Sequence, residues 1–271
     1  MVVSILGCGW YGKALALSLI KKGFSVKGSA TSEEKVKLLE QEGIIPYLLK
    51  LGNEASPLPS EFFNCDILVI SIPPRTRSGE GDSYLAKLSA VINSILVNGV
   101  KKLIYISSTG VYSEQNKTLT ELDEPLPDNP SGQILLDAES LLKEHTEFQT
   151  TIIRFGGLVG PGRHPGRFFA GKTEIPNGRA PVNMIYQSDA VGITEAIINK
   201  DLLGYTINAC APDHPEKGTF YPMMASLGGY PIPQFIDELQ NWKLVESVYL
   251  ETLLEYKFQV PEWKLYPADS F

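Results

Sequence analysis

Residues 7–12, Gly7-Cys8-Gly9-Trp10-Tyr11-Gly12, form a G-x-G-x-x-G loop. The loop follows a short apolar run at residues 2–6 and opens a stretch whose apolar residues recur at helical spacing. That context gives the pattern its meaning. Gly7 permits a tight turn, Gly9 lets backbone N–H groups approach a pyrophosphate, and Gly12 lets helix and strand pack closely. The positive end of the helix then faces the phosphates. The pattern predicts dinucleotide binding by Gly7, Gly9, Trp10, Tyr11 and Gly12.

The end of the next strand should say which dinucleotide. An NAD site carries an acid about 20 residues on, where it holds the ribose 2′-hydroxyl. In this chain the stretch is Gly28-Ser29-Ala30-Thr31-Ser32, without an acid. Small residues at Ser29, Thr31 and Ser32 leave room for a 2′-phosphate, and Lys27 or Lys35 can neutralise it. The arginine common at NADP sites is missing too. NADP is the expected cofactor, with NAD as the alternative. Ile72-Pro73-Pro74-Arg75 ends the fourth expected strand. Ligands lie beyond the carboxyl ends of strands in open sheets, so Ile72, Pro73 and Pro74 should border the cofactor.

Other polar residues stand out less sharply. Arg163, Arg167 and Arg179, with His164, make a basic cluster in an acidic chain. Arginine forks suit phosphate or carboxylate, so Arg163 and Arg167 are candidate substrate-binding residues, although a solvated loop explains them equally well. Arg154 ends an expected strand and is either a substrate contact or a buried structural partner. His145, near a helix C-terminus, reads as a cap. Cys8, near a helix N-terminus, is placed where a thiol pKa can fall, but it reads best as a small filler beside the cofactor.

The elements that must position these residues alternate. Apolar runs at 2–6, 24–28, 44–49, 66–72, 102–107, 151–155 and 205–210 read as strands. Helical spacing covers 10–22, 84–97, 135–144 and 188–199. Thr31 and Glu34 form an apparent capping box for a helix ending at Glu42. This alternation predicts an α/β fold, a Rossmann-type doubly wound parallel sheet. Residues 156–181, dense in Gly, Pro and Arg, read as irregular and surface-lying. The expected division is a nucleotide-binding domain over 1–158, completed by about 186–211. A smaller, discontinuous substrate lobe takes 159–185 and 212–271.

With 271 residues, 43% apolar and 20% charged, the chain can bury a sizeable core, which excludes a disordered or coiled-coil protein. Its 24 basic against 31 acidic residues give a net charge of −7, so nucleic acid is not an expected partner. No apolar run is long enough to span a membrane, and the N-terminus does not read as a signal peptide. Cys8, Cys65 and Cys210 lack metal-ligand or disulfide spacing, which suggests a cytoplasmic setting and no metal.

Together with Ser107-Ser108-Thr109-Gly110-Val111-Tyr112, these features resemble the short-chain dehydrogenase/reductase superfamily. The closer likeness is to its extended and atypical, epimerase/dehydratase-like branches. Ile153-Arg154-Phe155-Gly156-Gly157-Leu158-Val159-Gly160-Pro161-Gly162 is similar to that family's stretch leading into the substrate lobe. Residues 182–190 resemble its N-x-I-H-x-x-D segment, with Tyr186 in the histidine position. The resemblance implies that Ser108, with Thr109 as its neighbour, polarises a substrate oxygen. It also implies a Tyr-x-x-x-Lys pair on the following helix. The matching positions hold Ser131 and Leu135, and none of the 12 tyrosines has a lysine four residues later. A tyrosine of pKa near 10 is a poor base at neutral pH without a nearby cation, so little or no chemistry by the family's tyrosine route is expected. Tyr112 or Tyr186 can fill the gap only by reaching the site from another element.

Two functions follow from the resemblance. One is an NAD(P)-dependent oxidoreductase or epimerase/dehydratase acting on a small or nucleotide-linked substrate. The other is a sensor that holds NADP without turnover. Extended members of the family are often homodimers, but no interface is legible in this sequence.

Overall fold

The computed structural model describes residues 1–52, 58–74 and 81–265. Arg75 lies outside them. The chain begins with strand β1 (Val2–Leu6), helix α1 (Trp10–Lys21), β2 (Ser25–Ala30), α2 (Glu33–Gln41) and β3 (Ile45–Leu48). A short α3 (Ser60–Phe63) precedes β4 (Ile67–Ile70), α4 (Gly81–Asn98) and β5 (Lys102–Ser108). Then come β6 (Lys117–Leu119), α5 (Pro130–Lys143), β7 (Gln149–Phe155), β8 (Gly157–Val159), β9 (Met184–Tyr186), α6 (Gln187–Lys200) and β10 (Thr206–Ala209). The last elements are α7 (Lys217–Leu227), β11 (Lys243–Val245) and α8 (Tyr249–Thr252).

Seven strands form one sheet in the order β10-β7-β5-β4-β1-β2-β3. The β1–β2, β1–β4, β2–β3 and β4–β5 pairs are parallel. The order reverses between β1 and β4, and such a switch point opens the crevice where ligands bind in doubly wound sheets. Strand β4 is apolar throughout because every one of its residues is at most 1% exposed, as a strand covered on both faces requires.

Local chemistry sets the helix ends. Gly23, at φ +84°, follows α1 in the left-handed region. Ser32, rather than Thr31, caps α2, accepting from Lys35 N at 3.5 Å. Helix α5 begins five residues before the apolar spacing suggests. Asn129 caps it by accepting from Gly132 N at 3.0 Å, and Pro130 fills its first turn.

Two compact units emerge. The first comprises Met1–Val111, Pro127–Ile153 and Thr194–Thr206; the second comprises Tyr112–Leu126, Arg154–Ile193 and Ile207–Phe271. Within the second, β8 pairs with β9 and β11 with β6, both in parallel. Its core gathers Val159, Met184, Phe220, Met224 and Trp263. The reading of residues 156–181 as surface-lying needs correction. Gly157 opens a strand, and His164, Pro165 and Gly166 are buried. Gly166 sits against the backbone of Met224 and Ala225 in α7 so closely that a Cβ there would lie 2.6 Å from Met224 O. Helix α7 itself is hidden in the sequence by Pro222, which stands inside it.

Candidate dinucleotide site

The glycine loop joins β1 to α1, and each glycine answers a different constraint. Gly7 has φ +100°, and a Cβ there would lie 2.9 Å from Ser71 O and from Ile72 Cγ2. A side chain is excluded by both conformation and space. A Cβ on Gly12 would overlap Gly7 O, so α1 can sit on the loop only with glycine at that position. Gly9 is different. It is the N-cap residue of α1 at φ −78°, and a Cβ there would meet nothing within 4 Å. Only at this glycine does the loop hold an open space at a helix N-terminus, which fits a pyrophosphate approaching the backbone.

Beside the loop lies a cavity of about 130 Å³ within the first unit, at the carboxyl ends of β1, β2 and β4. Of the expected cofactor residues, Gly7, Ser29, Thr31, Ile72, Pro73 and Pro74 line it. The Ser29 hydroxyl accepts from Gly7 N at 2.8 Å, and its carbonyl accepts from Cys8 N at 2.9 Å. Ser29 thus ties the glycine loop to β2, besides lining the cavity. Gly9, Trp10, Tyr11, Gly12 and Ser32 are not in its wall. The Tyr11 side chain is buried, with its hydroxyl 2.6 Å from Thr194 Oγ1 on α6, and burial raises its pKa. It packs α1 against α6. Burial also pushes the Cys8 thiol up to about 12, the reverse of a helix N-terminus effect.

Sequence reasoning missed the far wall. Leu49, Leu51, Tyr84 and Lys87 also line the cavity. Tyr84 donates to Ile72 O at 2.9 Å, and its oxygen lies 2.9 Å from Tyr105 Oη. Both phenols are buried, and burial drives the Tyr84 pKa to about 12. They stay protonated and hold the Pro73–Pro74 turn against α4. Helical spacing marks residues 84–97, but nothing local says that this helix meets the end of β2. Lys27, expected near the ribose, instead donates to Glu61 O and Asn64 O at 2.5 and 2.6 Å.

Strand β5 ends beside β4 at the same carboxyl edge. There Ser108 Oγ accepts from Gly110 N at 3.1 Å, while Thr109 is buried. Helix α5 docks onto this turn so tightly that a Cβ on Gly132 would overlap Gly110 O. Ser131 lies in the first turn of α5, and Leu135, one turn on, is 8% exposed. Leu135, which the family resemblance sets against the lysine of that pair, is thus a buried aliphatic side chain.

The remaining candidates belong to the second unit. Arg154 Nη1 donates to Tyr112 Oη at 2.6 Å, its guanidinium lies 5.0 Å from the Tyr112 ring centroid, and both side chains are buried. Tyr112 in turn lies 3.1 Å from Asn208 Oδ1 and 3.0 Å from Thr120 O. Burial raises the Tyr112 pKa despite the arginine, so this phenol is no base at neutral pH. Tyr112 and Arg154, candidate substrate-binding residues, form a buried polar pair, the structural arrangement that the sequence also allows for Arg154. Arg163 and Arg167 are exposed, and Arg167 Nη1 reaches Gly162 O at 3.5 Å.

His164 and His214 both have pKa values lowered from the ordinary 6.5, chiefly by burial. His164 Nδ1 accepts from Gly166 N, and His214 Nδ1 donates to Val182 O. Below the ordinary pKa the unfolded chain binds protons that the folded chain refuses, so stability falls as pH drops below about 6.5. An NMR titration should place both imidazoles below the ordinary value, with the unfolding midpoint declining over the same acidic range. An imidazole titrating above 6.5 at either position would contradict the burial argument.

Comparison with known proteins agrees with this geometry. Residues 7–183 match the model of an NAD(P)H-binding family, and the chain belongs to that family. It is 37% identical to Protein YeeZ of Escherichia coli strain K12 over 273 residues, covering 98% of this chain and 99% of the relative. Among solved structures it is similar to a functionally unknown conserved protein from Silicibacter pomeroyi, at TM-score 0.79 and 20% identity, covering 97% of this chain and 95% of that one. It is also similar to UDP-glucuronic acid 4-epimerase from Bacillus cereus in complex with NAD, at TM-score 0.77 and 18% identity, covering 95% and 91%. The fold is thus of the epimerase/dehydratase type.

Proposed function

We propose that the chain binds NADP across the glycine loop and the adjoining cavity, as an oxidoreductase or isomerase/lyase of the epimerase/dehydratase type. The substrate is small or nucleotide-linked, as in the epimerase neighbours. The observation that carries this reading is the open N-cap at Gly9 beside a cavity whose described walls hold no carboxylate. When bound, the nicotinamide supplies reversible hydride transfer. Gly7 and Gly12 shape the loop for it, and Ser29 and the Tyr84 hydroxyl fix the two turns around it. Ser108, at the same carboxyl edge, offers its proton to a substrate oxygen while its own oxygen is held by Gly110 N, with Thr109 as its neighbour. Free thiols at Cys8, Cys65 and Cys210 support a reducing, cytoplasmic setting.

A second reading, a non-catalytic NADP sensor, is favoured by Leu135. An aliphatic side chain cannot depress a neighbouring pKa. Titration of the pure protein with NADPH and NADH tests the cofactor. NADPH should bind more tightly, and tighter NADH binding rejects the preference. A panel of aldehydes, ketones and nucleotide sugars then tests turnover. Ser108→Ala should lower any activity by roughly a hundredfold or more, the effect of losing one hydrogen bond to a developing charge. Activity abolished by Ser131→Ala yet untouched by Ser108→Ala and Thr109→Val would overturn the assignment. Binding without any turnover supports the sensor.

A further inference from the structure

The cavity beside the glycine loop lacks the charge pattern that the end of β2 leads one to expect. Strand β2 and the residue after it supply Ser29, Ala30 and Thr31 to the wall, and none can neutralise a phosphate. Lys27, on the same strand, is not among the residues that line the cavity. Lys35 lies on α2 and is not among the residues that line the cavity. One cation does line it among the described residues, and it comes from α4: Lys87.

The position of Lys87 follows from the helix. Tyr84 and Lys87 are three residues apart, so they share one face of α4. Tyr84 anchors that face through its hydrogen bond to Ile72 O and its contact with Tyr105 Oη. Both partners are backbone or buried phenol, so the anchor is stiff. It holds Lys87 in the same wall as Thr31. A lysine is a flexible point charge, suited to a phosphate whose position it need not fix by a fork.

We propose that Lys87 is the residue that recognises the 2′-phosphate of NADP, so that the helix after β4 performs this task in place of the end of β2. This rests on the dinucleotide reading of the cavity. It makes Lys87 a specificity-determining residue with no part in holding the pyrophosphate, which falls to the loop around Gly9.

The experiment titrates the full chain with NADPH, NADH, 2′,5′-ADP and 5′-AMP, before and after Lys87→Met, Lys87→Gln and Lys87→Arg. The unaltered protein should prefer NADPH over NADH and 2′,5′-ADP over 5′-AMP. Lys87→Met and Lys87→Gln should weaken the two 2′-phosphorylated probes by roughly ten- to a hundredfold, the scale of one hydrogen bond to a charged group. NADH and 5′-AMP should bind as before, and Lys87→Arg should restore most of the preference. In the unaltered protein the preference should shrink as KCl is added, a readout that needs no variant to fold. Equal weakening of all four probes would assign Lys87 to the adenine or to packing and overturn the proposal. A preference for NADPH that survives both neutral variants would overturn it and leave the cofactor reading standing. A chain that binds none of the four probes would overturn the cofactor reading itself, and a chain that prefers NADH would overturn the NADP preference and this proposal with it.

Discussion

Gly9→Val is expected to leave the protein folded and to weaken dinucleotide binding by well over tenfold. The two halves of that result have separate causes. A side chain at Gly9 meets no atom within 4 Å, and the residue sits in extended backbone at φ −78° rather than in the left-handed region that demands glycine. Valine is a poorer N-cap than glycine, and the stability loss should stay near ~1 kcal/mol. The open space, however, is where a pyrophosphate must meet the backbone, and a branched side chain fills it. Gly12→Ala should instead cost stability as well as binding. Its Cβ would overlap the backbone oxygen of Gly7, so the loop and α1 could not both keep their places. Titration calorimetry with NADPH, paired with a thermal melt, reads both variants. Unchanged affinity in a folded Gly9→Val protein would mean that the cofactor is held elsewhere.

The contrast between these glycines shows what was legible in the sequence. Their constraints are local: a turn, a helix start and a crossing of strand and helix within six residues. Pattern alone can carry that. Strand β4 was legible for a similar reason, since burial on both faces leaves an unbroken apolar run. The residues that complete the site were not local. Ser29 meets Gly7 across 22 positions, and Tyr84 meets Ile72 only because α4 returns over the end of β4. Lys87 joins Thr31 because β2 and β4 flank β1, an order no single segment encodes. Cys8 shows a competition that the sequence leaves open. A helix N-terminus lowers a thiol pKa and burial raises it, and the balance depends on packing against Gly28, whose absent side chain leaves room for the sulfur. For Arg154 the sequence leaves a substrate contact and a buried structural partner both open, because its neighbour Tyr112 lies 42 positions away; in the fold both side chains are buried and Arg154 donates to the Tyr112 hydroxyl.

The segment at residues 182–190 carries the second large effect. Its polar residues act as pins inside the second unit. Asn183 accepts from Val245 N at 2.7 Å and donates to Lys243 O at 2.9 Å, which fastens β11. Asp189 is wholly buried, and its carboxylate accepts from Gln259 N at 2.7 Å, Val260 N at 3.0 Å and Tyr256 Oη at 3.0 Å. Three residues on, Gly192 leaves room for the Tyr256 ring, whose edge would collide with any side chain there. Thus one face of α6 both catches and seats residues 256–260. Asp189→Ala would strand the buried Val260 N–H and take the acceptor from the part-buried Gln259 N–H and Tyr256 hydroxyl. Each hydrogen bond to a charged group contributes about 1.5–3 kcal/mol, and the three are not additive, so a loss of roughly 3 kcal/mol or more is expected. For a chain of this size that lowers the melting midpoint by roughly 6–12 °C. Asp189→Asn should recover only part of the loss. Its amide oxygen can face Tyr256 and Gln259, but its NH₂ group then opposes Val260 N–H, donor against donor. Tyr256→Phe removes a single bond and should cost least. Amide hydrogen exchange at residues 259 and 260 should accelerate most in the Ala variant, less in Asn and least in Phe. A melting midpoint within about 2 °C of the unaltered protein for Asp189→Ala, well short of the shift expected from its size, would show that the carboxylate does not hold this segment.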